Sequence, residues 1–284
     1  MFLSVLRKPV DTLAPSVGHL YRRLRDVSIG QRSRQTIYGF KLAGDPRMAS
    51  SDFEPDEVKA FLELLESHDT VLDIGANIGF YSCLAASRGK HVVSFEPSAR
   101  NLRFLYRNLS ENRFQSTEVL PVGLAKQCGL NRIYGFGGIS SFVAGWAQAD
   151  TSKYSLVPVT TLDAVAAGRF QGKKLLIKMD VEGFELDVLA GAMETLKLNP
   201  RPTWILEILL HDGVIPGEIN SRFLETFETF WDRGYECRKL NEARTQVQAN
   251  DVRRWANCGT VDCKNFLFSD RNPEVIGAEN GMEH

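Results

Sequence analysis

The densest group of residues suited to chemistry follows a short apolar run at Thr70–Ile74. This group is Asp73-Ile-Gly75-Ala76-Asn77-Ile-Gly79-Phe80-Tyr81. Its glycines let the main chain turn sharply and let a ligand approach closely, and a helix starting after the turn offers free N–H groups. The acid at the strand end suits a ligand with an ammonium group. A dinucleotide is not favoured, because the GxGxxG pattern requires glycine where Asn77 and Phe80 stand.

A second acidic residue, Glu96, ends the next apolar run, 23 residues after Asp73. A carboxylate at this place can accept both hydroxyls of a ribose, as in nucleotide-binding folds. Pro97 directly follows and suits the first turn of a helix. Glu96 alone would equally suit a solvated strand end, but its spacing from the glycine turn favours the ribose role.

A third group of charged residues follows the apolar run at Leu175–Met179. It contains Lys178, Asp180, Glu182 and Glu185. Three carboxylates this close together repel one another unless a cation compensates them. A sulfonium ion or a bound metal would do so, and Lys178 can pair with one of the acids. Glu182 has an alternative explanation, because an acid at the start of a helix is favoured by the helix dipole.

The elements that position these residues alternate between helix and strand from residue 54 onward. Strands are predicted at 70–74, 91–96, 117–124, 175–179 and 204–208, with two further strand-like runs at 235–240 and 265–268. Helices are predicted at 55–66, 80–87, 98–112, 185–196 and 221–233. Residues 125–160 are less regular and predict a hairpin or excursion. This alternation predicts a parallel sheet with helices on both faces, and a ligand at the carboxyl ends of its strands.

The linked motifs resemble those of the FkbM family of methyltransferases. The segments that carry the resemblance lie between about residues 55 and 212, in the family's order: DIGANIGFYS, VVSFEPSARNLRFLYRNL, VTTLD, LLIKMDVEGFELDVLAGA and WILEI. The resemblance implies an α/β, class I methyltransferase fold: a Rossmann-like, doubly wound and mostly parallel sheet. It implies S-adenosyl-L-methionine as the cofactor. It also implies O-methylation, commonly of a sugar, glycan or secondary-metabolite hydroxyl.

By this resemblance, the glycine turn lines the methionine end of the cofactor and Glu96 binds the ribose. Gly123 and Leu124, after the third strand, are expected to contact the adenine through the main chain. The segment 137–141, rich in Gly and Ser, is a flexible loop near the cofactor or a simple turn. The expected cofactor-binding residues are Asp73, Gly75, Ala76, Asn77, Gly79, Phe80, Tyr81, Glu96, Pro97, Gly123 and Asp180.

Methyl transfer to a hydroxyl requires that the hydroxyl lose a proton, so a base of near-neutral pKa helps. His211, after the fifth strand, is a natural candidate, although it also suits an exposed loop. Asp180 or Glu182 is the alternative base if burial raises its pKa. The predicted catalytic residues are therefore Asp180, Glu182 and His211. A divalent metal on Asp180, Glu207 and Asp212 is a weaker alternative, because Glu207 and Asp212 are not adjacent; no metal ligand is assigned.

Two other functions remain open at this point. An N-methyltransferase of a peptide or small amine often carries an Asn- or Asp-Pro-Pro-Tyr element after the fourth strand, and the sequence has none there. A non-catalytic binding module on the same scaffold would be expected to lose the glycine turn or the ribose acid, and both are present. Four aromatic residues can stack on a sugar ring or simply pack: Tyr134, Phe136, Phe142 and Trp146.

Composition limits the class of protein. Among 284 residues, 43% are hydrophobic, which allows a proper core. The net charge of −1 argues against a general nucleic-acid binder. Five cysteines without a CxxC pair predict reduced thiols in a cytoplasmic protein, and Cys258 and Cys263 lack further zinc ligands. No run approaches the roughly 20 apolar residues of a membrane span, and the first residues do not predict a signal peptide.

Three regions follow from these patterns. Residues 1–50 form a basic, helical extension, residues 51–270 the methyltransferase domain, and residues 271–284 a flexible tail. Within the extension, apolar residues at helical spacing lie opposite three arginines. This segment packs on the domain, or it contacts a membrane surface or an anionic substrate. The residues concerned are Val17, Leu20, Tyr21, Leu24, Arg22, Arg23 and Arg25.

Overall fold

The computed structural model describes residues 32–115, 117–135, 137–241 and 243–271. Its strands are β1 (Arg34–Gln35), β2 (Lys41–Leu42), β3 (Thr70–Ile74), β4 (His91–Phe95), β5 (Thr117–Leu120), β6 (Gly123–Leu124), β7 (Gly129–Tyr134), β8 (Tyr154–Thr160), β9 (Leu175–Met179), β10 (Thr203–Glu207), β11 (Tyr235–Lys239), β12 (Gln246–Val247) and β13 (Asn265–Asp270). Its α-helices are α1 (Pro55–Leu65), α2 (Phe80–Ser87), α3 (Ala99–Glu111), α4 (Leu162–Ala166), α5 (Glu185–Ala190), α6 (Phe223–Trp231) and α7 (Ala249–Cys258).

Eight strands form the central sheet, in the order β12-β11-β13-β10-β9-β3-β4-β5. The five strands from β10 to β5 are parallel, and β13 runs antiparallel to both of its neighbours. The chain leaves β3 toward β4 and β5, then returns to β9 on the other side. A ligand crevice is expected where the strand order reverses in this way. The sheet confirms the predicted class I methyltransferase fold.

The central strands are apolar on both faces because helices cover both sides of the sheet. Every residue of β3 and of β9 is buried. Alternate side chains enter opposite cores, as the period of two in a strand requires: Leu72 packs in one core and Val71 in the other. Phe230 of α6 stacks on Phe268 of β13, with ring centroids 4.0 Å apart.

Two predicted elements differ from the structure by more than two residues at one end. The strand predicted at 117–124 breaks after Leu120, because Pro121 has no N–H for a strand ladder. Gly123–Leu124 then joins a second sheet of order β6-β8-β7, in which β7 and β8 form the predicted hairpin. The helix predicted at 185–196 ends at Ala190. The Gly191 carbonyl accepts from Asp163 N at 2.9 Å. This carbonyl is therefore bonded to another segment of the chain and not to a further turn of the helix.

Part of the predicted extension packs on the domain. Phe40 and Leu42 are buried in the same core as Val71, and Asn108 of α3 bonds both the N–H and the carbonyl of Ala43. The apolar and basic residues at 17–25 lie outside the described residues, as does most of the predicted tail. Within residues 32–271, as far as they are described, no helix combines the length and apolar character needed to cross a membrane.

Candidate active site

A cavity of about 1520 Å³ opens at the carboxyl ends of the parallel strands. It exceeds the roughly 300–1,000 Å³ of ordinary small-molecule pockets, so it has room for two ligands side by side. Its β3–β4 half is lined by Gly75, Asn77, Glu96 and Pro97. Its β9–β10 half is lined by Glu54, Asp180, Glu182, Glu207 and Lys264. Residues 137–153, here named the wall segment, supply many of the remaining lining residues.

The turn after β3 leaves no space for a side chain at its first glycine. Gly75 has a φ of +80°, and a Cβ there would lie 1.9 Å from the carbonyl oxygen of Asp180. The N–H groups of Gly75 and Ala76 both donate to the Phe95 carbonyl, at 2.9 and 3.0 Å. The turn is therefore held between the ends of β4 and β9, with its main chain against the cavity.

Glu96 is 4% exposed, and both of its carboxylate oxygens accept main-chain hydrogen bonds. Oε2 accepts from Asn77 N and Oε1 from Ser98 N, each at 2.8 Å. Burial raises the pKa of Glu96 to about 7, although these bonds act in the opposite direction. The Asn101 side chain also hydrogen-bonds this carboxylate. The carboxylate thus lies at the cavity with its orientation fixed, and part of its acceptor capacity remains for a ligand.

Asp73 lies beneath the turn and does not line the cavity. Its carboxylate accepts from the Ser82 hydroxyl, which in turn lies 2.7 Å from the Ser94 hydroxyl. Burial raises the pKa of Asp73 to about 6. Within the described part of the chain, three other predicted cofactor residues are likewise buried away from the cavity lining: Ala76, Gly79 and Phe80.

The remaining predicted cofactor residues come together at the cavity. They are Gly75, Asn77, Tyr81, Glu96, Pro97, Gly123 and Asp180. A Cβ at Gly123 would lie 2.3 Å from the ring of Phe142, so the wall segment packs closely here. The structure thus divides the predicted set into residues that line the cavity and residues that are buried behind it. Their roles toward a cofactor stay predictions.

Three carboxylates meet in the β9–β10 half. Oxygens of Glu54, Asp180 and Glu207 lie within 4.8 Å of one another. Lys264 Nζ lies 2.6 Å from Glu207 Oε2, and Lys178 Nζ lies 3.7 Å from Asp180 Oδ2. Burial lowers the pKa of Lys178, but the surrounding carboxylates outweigh this effect and its pKa is raised above the usual value. The two ammonium groups balance much of the negative charge.

The structure brings together only two of the three residues that the sequence suggested as possible metal ligands. Glu54, rather than Asp212, accompanies Asp180 and Glu207. Asp212 Oδ1 instead accepts from Val214 N at 2.6 Å and holds a turn. Because lysines already compensate the three acids, the cluster gives no separate reason to place a metal ion.

Glu182 lines the cavity next to Asp180 in an unusual conformation, with a φ of +53°. Burial and the neighbouring Asp180 charge raise its pKa to about 7. Its Oε2 accepts from Trp146 Nε1 at 2.8 Å. Glu185, 6% exposed, accepts from Gly183 N at 2.9 Å, and burial raises its pKa to about 7 as well. Glu182 is the acid of this loop that faces the cavity with a near-neutral pKa.

His211 is exposed, and the structure does not bring it into the cavity lining with Asp180 and Glu182. Its main chain forms an isolated bridge with Ile219. Of the four aromatic candidates, Phe142 lines the cavity, whereas Tyr134 and Trp146 are buried in protein at 9% and 6% exposure. Phe136 lies outside the described residues.

Two charged residues of the β9–β10 half, Glu54 and Lys264, had no predicted role in the site. Glu54 precedes α1, and its Oε2 accepts from the Tyr81 hydroxyl at 2.7 Å. Lys264 comes directly before β13, whose first residue, Asn265, pairs with Glu207 at the end of β10. Antiparallel pairing of the last strand with β10 would have located Lys264. No pattern in the sequence around Glu54 points to it.

Comparison with known proteins places this chain in a family. The family model described as Methyltransferase FkbM domain matches residues 73–237, more than half of the chain. Hexuronic acid methyltransferase AglP of Haloferax volcanii is 27% identical over 178 residues, which cover 61% of this chain and 68% of that protein.

Two solved structures are similar at low TM-scores. One is an O-methyltransferase from Bacillus cereus in complex with SAH, with TM-score 0.43, 15% identity and coverage of 78% of this chain and 83% of that one. The other is a TehB-like SAM-dependent methyltransferase from Corynebacterium glutamicum, with TM-score 0.40, 11% identity and coverage of 91% and 100%. Such low similarity says nothing about activity. The family of this chain follows from its match to the family model. The chain belongs to the FkbM family of methyltransferases.

Proposed function

We propose that this protein transfers a methyl group from S-adenosyl-L-methionine to a hydroxyl of a sugar or glycan. The observation that carries the proposal is the continuous cavity, in which Glu96 lies over the end of β4 and the carboxylates lie over the ends of β9 and β10. Family membership supports the reaction class. The relative's action on a hexuronic acid supports a sugar acceptor, and secondary-metabolite hydroxyls share the same chemistry.

The residues of the β3–β4 half fit the cofactor. Beside its bonds from two main-chain N–H groups and from the Asn101 side chain, the Glu96 carboxylate keeps acceptor capacity for a ribose hydroxyl. The glycine turn lets a ligand approach the main chain, because no Cβ fits at Gly75. Negative charge from Asp180, at the junction of the two halves, suits a sulfonium. When bound, the cofactor supplies a methyl group on positively charged sulfur.

The residues of the β9–β10 half fit the acceptor. Carboxylates accept hydrogen bonds from sugar hydroxyls, and Glu54, Asp180 and Glu207 offer oxygens within 4.8 Å of one another. Holding the acceptor hydroxyl in line with the methyl group can supply several kcal/mol of the barrier.

Glu182 is the base in this proposal. Its carboxylate would take the proton that the acceptor hydroxyl loses as the methyl group passes from the sulfur of the cofactor to the hydroxyl oxygen. A pKa of about 7 suits this role near neutral pH. Asp180 remains close enough to orient the acceptor, whereas His211 would act only from outside the cavity lining.

The first test is calorimetric titration of S-adenosylhomocysteine into the wild type, Glu96→Gln and Glu118→Gln. Glu118 lies on the next strand, β5, in an exposed ion pair with Arg169, and serves as the matched control. We expect micromolar binding to the wild type and Glu118→Gln, and affinity about tenfold weaker for Glu96→Gln, because hydrogen bonds to a charged group are lost. Absence of binding to the wild type would refute the cofactor assignment.

The second test follows labelled methyl from S-adenosyl-L-methionine into methyl glucuronide, methyl glucoside and a primary amine of similar size. We expect ether formation on the glycosides, with the glucuronide preferred. Methylation of the amine alone would replace O-methylation by N-methylation as the activity.

A further inference from the structure

Trp146 is buried although it belongs to an excursion on the protein surface. The loops after β9 and β10 are shaped around its indole ring. A Cβ at Gly183 would lie 2.3 Å from the ring, and a Cβ at Gly213 would lie 2.2 Å from it. Both loops therefore need glycine at the places where the ring inserts. A large side chain fitted between two glycines indicates a fixed connection between the wall segment and the strand-end loops.

Hydrogen bonds reinforce this connection at the same place. The indole Nε1 donates to Glu182 Oε2 at 2.8 Å, and the Ser141 hydroxyl donates to the Glu182 carbonyl at 2.6 Å. Ala147 N donates to the Gly213 carbonyl at 2.8 Å. The wall segment thus holds both the side chain and the main chain of Glu182.

Three non-glycine residues around the indole adopt left-handed backbone conformations. Ala147 has a φ of +49°, Gln148 of +62° and Glu182 of +53°. Such conformations cost about 1–3 kcal/mol each and persist where the surroundings enforce them, most often at functional sites. All three residues line the cavity, so the strain is located where substrate would bind.

We propose that Trp146 is a positioning residue: it holds Oε2 of Glu182 so that Oε1 is presented to the acceptor hydroxyl. Among the described residues Oε1 has no hydrogen-bond partner, which leaves it available. Trp146 does not line the cavity, so it acts through Glu182 and not by stacking on a sugar. This inference rests on the proposed function, in which Glu182 takes the proton.

The decisive experiment is a double-mutant cycle of Trp146→Phe and Glu182→Gln, measured by methyl transfer from S-adenosyl-L-methionine to methyl glucuronide. Trp146→Phe keeps an aromatic ring and removes the N–H donor. We expect it to lower kcat about tenfold in the wild type, to change KM for the cofactor less than twofold, and to add nothing in the Glu182→Gln protein. An equal loss in both backgrounds would overturn the inference.

Trp255→Phe is the matched control, because Trp255 is also 6% exposed but lies on α7. We expect this variant to leave kcat within about twofold of the wild type. A tenfold loss there would show that any buried tryptophan gives the effect, and would overturn the specific role of Trp146.

An acceptor-independent measurement keeps the inference testable if the glucuronide is not methylated or if Trp146→Phe does not fold. In ¹⁵N NMR spectra of the full chain, Glu182→Gln should move the Trp146 indole N–H resonance, since a charged hydrogen-bond acceptor becomes neutral. The Trp204 and Trp255 resonances should stay in place. An unmoved Trp146 resonance would overturn the contact. A wild type that binds no S-adenosylhomocysteine would instead overturn the proposed function. The NMR shift does not depend on that binding, so the two failures can be told apart.

Discussion

The two halves of the cavity are built in different ways. The β3–β4 half consists largely of main chain and of residues close together in sequence, from Gly75 to Glu96. The β9–β10 half consists of side chains from distant segments, with Glu54 before the sheet and Lys264 just ahead of its last strand. In a fold that always binds the same cofactor, the cofactor site can be formed largely by the main chain, as in the β3–β4 half. Acceptors differ between enzymes, and side chains on loops can change without changing the fold.

The largest expected effect comes from breaking the backbone of the β3–β4 half. In Gly75→Ala the new methyl group meets the Asp180 carbonyl, at a φ that already strains an L-residue. We expect the free energy of unfolding to fall by at least about 3 kcal/mol, and binding of S-adenosylhomocysteine to be lost. Guanidinium denaturation and calorimetry measure the two effects.

Gly89→Ala is the matched control for this variant. Gly89 has a similar φ of +74°, and nothing lies within 4 Å of a Cβ placed there. It carries the backbone strain without the clash, so we expect a loss of about 1 kcal/mol and unchanged binding. Equal losses for the two alanines would show that the close approach to Asp180 is unimportant.

The second expected effect tests whether the β9–β10 half acts in methyl transfer without contributing to cofactor binding. Glu54→Gln removes charge from the β9–β10 half and should keep the bond from the Tyr81 hydroxyl. We expect methyl transfer to fall about tenfold, the equivalent of one charged hydrogen bond, with affinity for S-adenosylhomocysteine within about twofold. Glu63→Gln, on the outer face of α1 in an exposed pair with Arg244, should change neither quantity.

One result would show that both halves of the cavity bind the cofactor. If Glu54→Gln weakens S-adenosylhomocysteine as strongly as Glu96→Gln does, the carboxylates of the β9–β10 half hold the cofactor too. The acceptor would then need another place in the cavity.

The same division explains what the sequence could predict. The bounds of β3, α2 and β9 agree with the prediction, because β3 and β9 are apolar runs that end before Gly75 and Asp180, and α2 lies between Gly79 and Gly89. The positions of Gly75 and Glu96 at the cavity could be predicted because both residues directly follow such runs. The cluster of Glu54, Asp180 and Glu207 depends on how three distant segments pack, and no local pattern records this.

Some elements could not be predicted because no local sequence pattern marks them. Helix α7 was not predicted, since only Val252 and Trp255 are buried in it and its other residues are largely polar. Trp146 was expected to pack or to stack on a sugar. The two glycines that accommodate it lie 37 and 67 residues further along the chain, at Gly183 and Gly213, so its position follows from the tertiary fold alone.

The smallest expected effect concerns pH and compares the halves once more. Burial raises the pKa of Asp73 to about 6 and the pKa values of Glu96, Glu182 and Glu185 to about 7. The folded state therefore holds protons that the unfolded chain has already lost. Their contribution to stability is fully present below about pH 4 and is lost as the pH rises to about 7. Burial also raises the pKa values of Glu57 and Glu207, which act in the same direction. Burial lowers the pKa of His68, which acts in the opposite direction below its usual value.

We accordingly expect the ligand-free protein to melt at a higher temperature at about pH 5 than at about pH 8, because the buried carboxyls lose their protons between these two pH values. Calorimetric scans of the wild type, Glu96→Gln and Glu182→Gln measure this difference. Each glutamine removes one titrating group and should reduce the pH dependence by a similar amount, because both carboxylates have pKa values of about 7. A smaller reduction for Glu182→Gln would mean that water reaches the β9–β10 half more freely. The Glu182 carboxylate would then be less desolvated than the Glu96 carboxylate of the β3–β4 half, and a less effective base.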